Sequence, residues 1–217
     1  MKGMLIKDFS LLKGQKQFFL VVCVLTFVFL FLTDQYYFGI AYLIIIFVMF
    51  TLSTIAYDEY DNGNPFLFTL PISRKSYVRE KYVFCFLISL VSCVINLILI
   101  VVLQTVKKGS GADSRVLFLT MCGAFLAGML MMALVVPLQL KLGSEKRQVA
   151  AIAGFLLILI LVFCVEKLAD RFGVPGIIKI LDGMSMKMIA VIAVIFITAL
   201  VFISYLLSVR IMEKKEF

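Results

Sequence analysis

The chain has 217 residues, 63% of them hydrophobic, and a mean hydropathy of +1.11. Soluble globular domains are about 45–50% apolar, so this composition excludes an ordinary soluble domain and predicts a membrane protein. The net charge of +8 does not indicate a nucleic-acid partner, because the long apolar runs leave no basic stripe on a soluble surface; anionic lipid and membrane topology explain it better.

The first 17 residues predict an amphipathic helix that lies in the inner interface of the membrane. Leu5, Phe9 and Leu12 recur at helical spacing, and lysines flank this apolar stripe. The alternative is a loose basic tail. In either case, the apolar run that follows is expected to enter the bilayer.

Six apolar runs come near the roughly 17–25 residues that a helix needs to cross a bilayer. They predict an all-α membrane protein with a single transmembrane domain. The predicted spans are about 18–33, 38–56, 82–106, 116–140, 149–165 and 188–209. Two thirds of the 21 lysines and arginines then fall on the side of the N-terminus. By the positive-inside rule, both termini are expected in the cytoplasm.

Residues 57–81 form the longest predicted cytoplasmic segment, between the second and third spans. The letters FLFTL in its centre predict a short apolar helix, which Pro65 begins and Pro71 interrupts. Ser73 is expected to cap a second helix that continues into the third span.

Two interpretations of this segment stay open. A short apolar helix held below the membrane fits a groove on a partner protein. Alternatively, its apolar side chains lie on lipid while its basic side chains contact headgroups. The residues concerned are Phe66, Leu67, Phe68, Arg74, Lys75, Arg79 and Lys81.

The polar and small residues inside the spans predict helix contacts more readily than chemistry. Asn96 and Ser92 are candidates for lining a translocation path, although an amide in a span more often hydrogen-bonds between helices. The letters CGAFLAG place small residues four apart, a spacing at which two helices approach closely. The small residues are Gly123, Ala124, Ala127 and Gly128, and their partner helix could belong to this chain or to a second copy.

The segment 166–187 follows the fifth predicted span on the outer side. It mixes apolar residues with the helix breakers Gly173, Pro175, Gly176 and Gly183. It is too broken to span the bilayer, so we expect short re-entrant helices at or dipping into the outer interface.

Several kinds of functional motif do not occur in the sequence. There is no G-x-x-x-x-G-K-[ST] phosphate loop, and no histidine to complete a zinc site. The five cysteines lie in apolar runs without CxxC spacing. The spans also lack the charged residues that proton-driven and ion-driven carriers use. We therefore expect no catalytic residue, no metal, no cofactor and no ATPase site in this chain, so energy for transport would come from a partner.

The opening MKGMLIKDFSLLKGQ, the loop YDEYDNGNPFLFTLPISRKSYVREKY and the six-span length together resemble a small ABC-2 type transporter permease of Gram-positive bacteria. The most specific part is TLPISRKSYVREKY, which is similar to the family's Leu-Pro-[Val/Ile]-Ser-Arg-Lys run before the third helix. The acidic and aromatic residues of YDEYDN also match. The linker between the third and fourth spans departs from the family because it is unusually basic.

The resemblance implies a membrane half-transporter that works as a homodimer or heterodimer with separate cytoplasmic ATPase subunits. It also implies that the loop between spans two and three carries the coupling helix that docks on the ATPase. Carried over to this sequence, that element comprises Asn64, Pro65, Phe66, Leu67, Phe68, Thr69 and Leu70, with Arg74 and Lys75 beside it. The broken outer segment matches the family's re-entrant helices.

The sequence as a whole favours the permease subunit of an ATP-driven exporter in the bacterial plasma membrane, moving an amphipathic or hydrophobic cargo such as a peptide, an antibiotic or a lipid. One alternative is a non-transporting immunity or sensor component that docks a cytoplasmic partner. Another is a self-sufficient carrier, which the shortage of charge inside the spans disfavours.

Overall fold

The computed structural model describes residues 2–33, 36–60, 63–106, 114–143 and 186–215, together with the single residues 149, 152, 153 and 156. Within these ranges the chain forms helices and no strand. The helices are α1 (Lys2–Gly14), α2 (Lys16–Thr33), α3 (Tyr36–Glu59), α4 (Gly63–Thr69), α5 (Arg74–Val106), α6 (Ser114–Leu142) and α7 (Met186–Lys214).

Four of these helices, α3, α5, α6 and α7, are long and apolar enough to cross a membrane. Helices α1 and α2 meet the same criteria only as a pair, bent by 63° at Gln15, as a broken span or a re-entrant loop. The described residues therefore form an all-helical, multi-pass membrane protein with four or five spans. The predicted total of six stays a prediction, because nearly all of 149–165 and 166–187 lies outside the described residues.

Helix α5 is longer than a bilayer requires. Its 33 residues extend about 50 Å, whereas the hydrocarbon core is about 30 Å thick. The apolar part matches the predicted span at 82–106. We therefore expect the first two turns, which carry Arg74, Lys75, Arg79, Glu80 and Lys81, to project beyond the hydrocarbon.

The core has two apolar clusters. The larger one joins α3, α5, α6 and α7, and the smaller one packs α2 against α3 and α5. In the smaller cluster, the Phe19 ring meets Phe47 and Phe50 edge to face, with centroids 4.8 and 5.0 Å apart. Such aromatic pairs contribute beyond the area that they bury.

Helix α1 packs on this bundle, and its buried face differs from the simple apolar stripe predicted for it. Leu5 and Leu12 do pack against the smaller cluster, and the Phe9 ring lies edge-on to Phe84 at 5.3 Å. However, the two most buried side chains of α1 are Met4 and Asp8. A fully buried carboxylate requires a partner, which is described below.

A proline in α6 produces one contact between helices. Pro137 has no amide hydrogen, so the carbonyl of Ala133 loses its donor within α6. The hydroxyl of Ser204 in α7 donates to that carbonyl, and Ser204 also pairs with the Tyr82 hydroxyl of α5 at 2.6 Å. Ser208 lies 2.9 Å from the same tyrosine oxygen. Helices α5, α6 and α7 are thus joined by one buried hydrogen-bond chain.

Candidate docking element and its buried ion network

Helix α4 is a seven-residue helix that begins close to the end of α3. A Cβ atom added to Gly63 would lie 2.6 Å from the Asp58 carbonyl oxygen, so glycine permits this close approach. Asn64 is buried, whereas the Phe66 side chain is 72% exposed. An exposed aromatic ring on a short, anchored helix is typical of a docking element.

The break after α4 and the start of α5 follow the prediction. The Ile72 amide donates to the Leu70 carbonyl at 2.6 Å across Pro71, which ends the helical pattern. The Ser76 amide donates to the Ser73 hydroxyl oxygen at 3.2 Å. Ser73 therefore caps α5 as expected, and α5 begins at Arg74.

The two phenylalanines of α4 have opposite environments. Leu67 and Phe68 pack against the larger core cluster, while Phe66 does not. The Phe68 ring lies edge-on to Tyr77 with centroids 5.9 Å apart, and the Arg74 guanidinium carbon lies 5.9 Å from the Phe68 centroid. Phe68 consequently anchors α4 to α5, and Phe66 is the exposed one of the two phenylalanines.

Arg74 and Lys75, predicted to lie beside the docking element, contact the end of α7. Arg74 Nη1 donates to the carbonyl oxygens of Met212 and Glu213 at 3.1 and 2.6 Å. Lys75 Nζ lies 3.5 Å from a Glu213 carboxylate oxygen. Cations suit the unpaired carbonyls at a helix C-terminus, so these contacts fix α7 to the start of α5. A docking role for the two residues stays a prediction.

Behind α4, a buried ion network joins three helices. The Tyr77 hydroxyl donates to Asp58 Oδ2 of α3 at 3.2 Å, and Lys81 Nζ lies 2.7 Å from the same oxygen. Lys81 Nζ also donates to Asp8 Oδ2 of α1 at 2.5 Å. Lys7 pairs with Asp58 as well. Because Lys81 and Asp8 are both fully buried, one cation connects α5 to α1 and to α3 in the absence of solvent.

Burial and neighbouring charges shift the pKa values of three side chains in and beside this network. Burial lowers the pKa of Lys81, but Asp58 and Asp8 outweigh burial and leave the pKa above its ordinary value. Burial, followed by Asp58, raises the pKa of Tyr77, which therefore stays protonated as a donor. Burial also raises the pKa of the Glu80 carboxyl to about 7, and the Lys81 ammonium, 3.7 Å from Glu80 Oε2, opposes this shift only in part.

The sequence did not predict this network. One interpretation placed Lys81 on lipid headgroups, which is wrong because its side chain is fully buried. Asp8 and Asp58 could not be recognised as partners of Lys81 from the sequence, because they lie 73 and 23 positions away from it in the chain. The available signal was Asp8 itself, an acidic residue between Leu5 and Leu12 on the apolar side of α1.

The predicted small-residue motif contacts α3 of the same chain on one side only. A Cβ atom added to Gly128 would lie 3.0 Å from Ile44 and 3.3 Å from Val48, and Ala124 packs against the larger core cluster. Gly123 has nothing within 4 Å of such a Cβ atom, and Ala127 is exposed. The pair Ala124 and Gly128 thus finds its partner helix within the chain.

The two polar path candidates are fully buried between helices. Ser92 donates to the Ser89 carbonyl at 2.8 Å, and Asn96 Nδ2 donates to the Ser92 carbonyl at 3.1 Å. Asn96 Nδ2 also reaches the Ile40 carbonyl of α3 at 3.5 Å. These bonds favour contact between helices, and a role in translocation stays a prediction.

An apolar cavity of about 790 Å³ lies between α5, α6 and α7. A smaller cavity of about 400 Å³ lies between α5 and α7, and the two cavities together are called the groove. Thr198 and Val201 line both cavities. Among the described residues, no group of three or more histidine, cysteine or acidic side chains could hold a metal ion.

Comparison with known families places the chain beside a family of transporters. The sequence profile described as ABC-2 family transporter protein matches residues 3–213, which is nearly the whole chain. Comparisons with curated proteins and with solved structures gave no significant match.

Proposed function

Because this chain belongs to the ABC-2 family of transporter proteins, we propose that it is the permease subunit of an ATP-driven exporter. It has no ATPase site of its own and works with a separate cytoplasmic ATPase, as one half of a homodimer or heterodimer. The complex lies in the bacterial plasma membrane with both termini of this chain in the cytoplasm. The excess of basic residues on that side supports the orientation.

The exposed Phe66 on the anchored helix α4 carries this proposal. Phe68 packs beside Tyr77 and Arg74 and fixes the inner side of α4. The outer side is therefore held in place for contact with a partner protein. An aromatic side chain exposed on a short helix supplies the central anchor that a groove in a partner protein recognises. In the proposed assembly, α4 docks into such a groove of the ATPase.

The buried ion network offers a route for the movement of α4 to reach the membrane helices. When nucleotide binding closes the ATPase subunits, α4 is displaced, and Phe68 transmits the displacement to Tyr77. Tyr77 is bonded to Asp58, and Asp58 is bonded to Lys81, which holds α1 through Asp8. Helices α1, α3 and α5 then move together, shifting the complex between inward-closed and outward-open arrangements.

The proposed cargo is amphipathic or hydrophobic, such as a peptide, an antibiotic or a lipid. Apart from its ends, the described bundle presents apolar and neutral polar side chains. A transport path lined by such side chains offers few partners for a sugar or a free ion.

Affinity purification from native membranes tests the proposal. The tagged chain should bring down a protein that contains a phosphate loop, and Phe66→Ala should reduce that co-purification at least several-fold. The matched control is Phe38→Ala, a similarly exposed phenylalanine at the opposite end of α3, which should leave co-purification unchanged. If Phe66→Ala retains the ATPase as well as the unchanged chain does, the docking assignment is wrong.

A further inference from the structure

One face of α5 lines both cavities of the groove, from Arg79 to Gln104. The lining residues recur every three or four positions, including Arg79, Tyr82, Phe86, Leu90, Cys93 and Leu97. This is the spacing of a single helix face. Helix α7 supplies the other wall of both cavities, α6 lines only the larger one, and Thr198 and Val201 of α7 are common to the two.

The chemistry of the groove changes sharply along its length. Arg79 stands at one end, is exposed, and pairs with no carboxylate of the described residues. Tyr82 and Tyr205 lie beside it with their rings edge to face at 5.7 Å. Beyond them the lining is almost wholly apolar, and the Thr198 hydroxyl is bonded to the Val194 carbonyl of its own helix. The groove is therefore cationic at one end and apolar along the rest.

We propose that this groove binds an anionic phospholipid of the surrounding membrane, with its phosphate on Arg79 and an acyl chain along α5 toward Leu97. The position of Arg79 suits a headgroup, because it lies just beyond the apolar part of α5 and beside two tyrosines, the residues of membrane interfaces. The Tyr82 hydroxyl pairs with Ser204 and Ser208, so the guanidinium is the donor that a phosphate would engage.

Charge complementarity favours a lipid over a protein occupant. A second helix that covered the smaller cavity would bury the Arg79 guanidinium, which then requires a carboxylate partner. An anionic lipid instead pairs the guanidinium at the interface and fills the apolar part with a flexible chain. This inference goes beyond the proposed function, since the lipid is a bound component of the permease and its presence does not depend on an ATPase.

The absence of tryptophan from the sequence allows a specific optical test. Phe86→Trp places a single tryptophan in the groove, and Phe196→Trp places one on α7 at a similarly exposed site that lines neither cavity. Each variant is reconstituted in vesicles with phosphatidylglycerol or phosphatidylcholine that carries brominated acyl chains, which quench tryptophan on contact. Quenching at equal lipid fractions then gives the relative affinity of the two lipids.

We expect Phe86→Trp to favour phosphatidylglycerol over phosphatidylcholine about fivefold, the effect of one cation at a membrane surface. Arg79→Gln should abolish the preference and Arg79→Lys should keep it, while Phe196→Trp should show none in either background. Equal quenching by the two lipids at position 86 would overturn the proposal, as would a preference that survives Arg79→Gln. Failure of both lipids to quench would also overturn it, because the groove would then be closed to lipid.

Discussion

Lys81 of α5 and Asp8 of α1 form a 2.5 Å ion pair in which both side chains are fully buried. Asp58 of α3 completes the arrangement at 2.7 Å from the same ammonium. Separating α1 from α5 would remove Asp8 from the Lys81 ammonium and leave this carboxylate with only the part-exposed Lys7 as a cation. The N-terminal helix is therefore an integral part of the end of the bundle that carries α4.

Replacing Lys81 tests whether the network holds this end together. Lys81→Met should lower the free energy of unfolding by about 3–5 kcal/mol, because it removes the buried cation and leaves Asp8 and Asp58 with only the part-exposed Lys7. Thermal unfolding in detergent measures the loss. Combining Lys81→Met with Asp8→Asn should destabilise the chain by less than the sum of the two single changes, since each removes the other's unpaired charge.

Lys75→Met is the matched control for that prediction. Lys75 pairs with Glu213 on the surface, where its side chain is 69% exposed, so solvent screens the interaction. Its unfolding temperature should be nearly unchanged. An equal loss in the Lys75 and Lys81 variants would show that burial of the network contributes nothing special.

The contact of Ser204 with α6 predicts a rescue between two substitutions. Ser204→Ala should destabilise the chain by about 1–3 kcal/mol, because the Ala133 carbonyl loses the donor that replaces the one missing at Pro137. In the Pro137→Ala background the helix supplies its own amide hydrogen, so the same serine substitution should be much milder. Thermal unfolding of the four chains measures the coupling, and strictly additive effects would contradict this explanation.

Glu80 predicts a dependence of stability on pH. Its folded pKa of about 7 lies above the ordinary value of 4.5, so the folded chain holds the proton more tightly than the unfolded chain does. Stability should therefore fall as the pH rises from about 4.5 through about 7. The charged and titratable groups facing Glu80 are Lys81 on its own helix, Lys7 and Asp8 on α1, and Asp58 on α3.

Glu80→Gln keeps the shape of the side chain and removes its titration. The variant should match the unchanged chain near pH 5 and unfold at a higher temperature near pH 8, because only the unchanged chain then buries an ionised Glu80. A difference between the two chains that is constant across this range would contradict the assignment.

The sequence predicted the local features of the docking segment well. Pro71 and Ser73 act through their own backbone chemistry, so the break and the cap could be inferred from single positions. The apolar runs likewise predicted α3, α5, α6 and α7 as membrane helices, because length and hydropathy alone decide that property.

The sequence could not separate Phe66 from Phe68, nor identify the partners of Lys81. Phe66 and Phe68 lie two positions apart on a short helix, and only packing against Tyr77 shows that Phe68 is the anchor. The ion network joins positions 8, 58 and 81, and such distant pairing leaves no trace in local periodicity. For the same reason the sequence did not single out Ser204 among the neutral residues of the spans. Its role follows only from its contact with the Ala133 carbonyl, which Pro137 leaves without a donor.

Site-specific photo-crosslinking from position 66 tests the central claim most directly. A benzoylphenylalanine in place of Phe66, irradiated in native membranes, should form an adduct with a protein that contains a phosphate loop, and the same group in place of Phe38 should not. Such an adduct at position 66 alone is the result that docking of α4 on an ATPase predicts. An adduct only with lipid at position 66, in membranes where the ATPase is present, would contradict it.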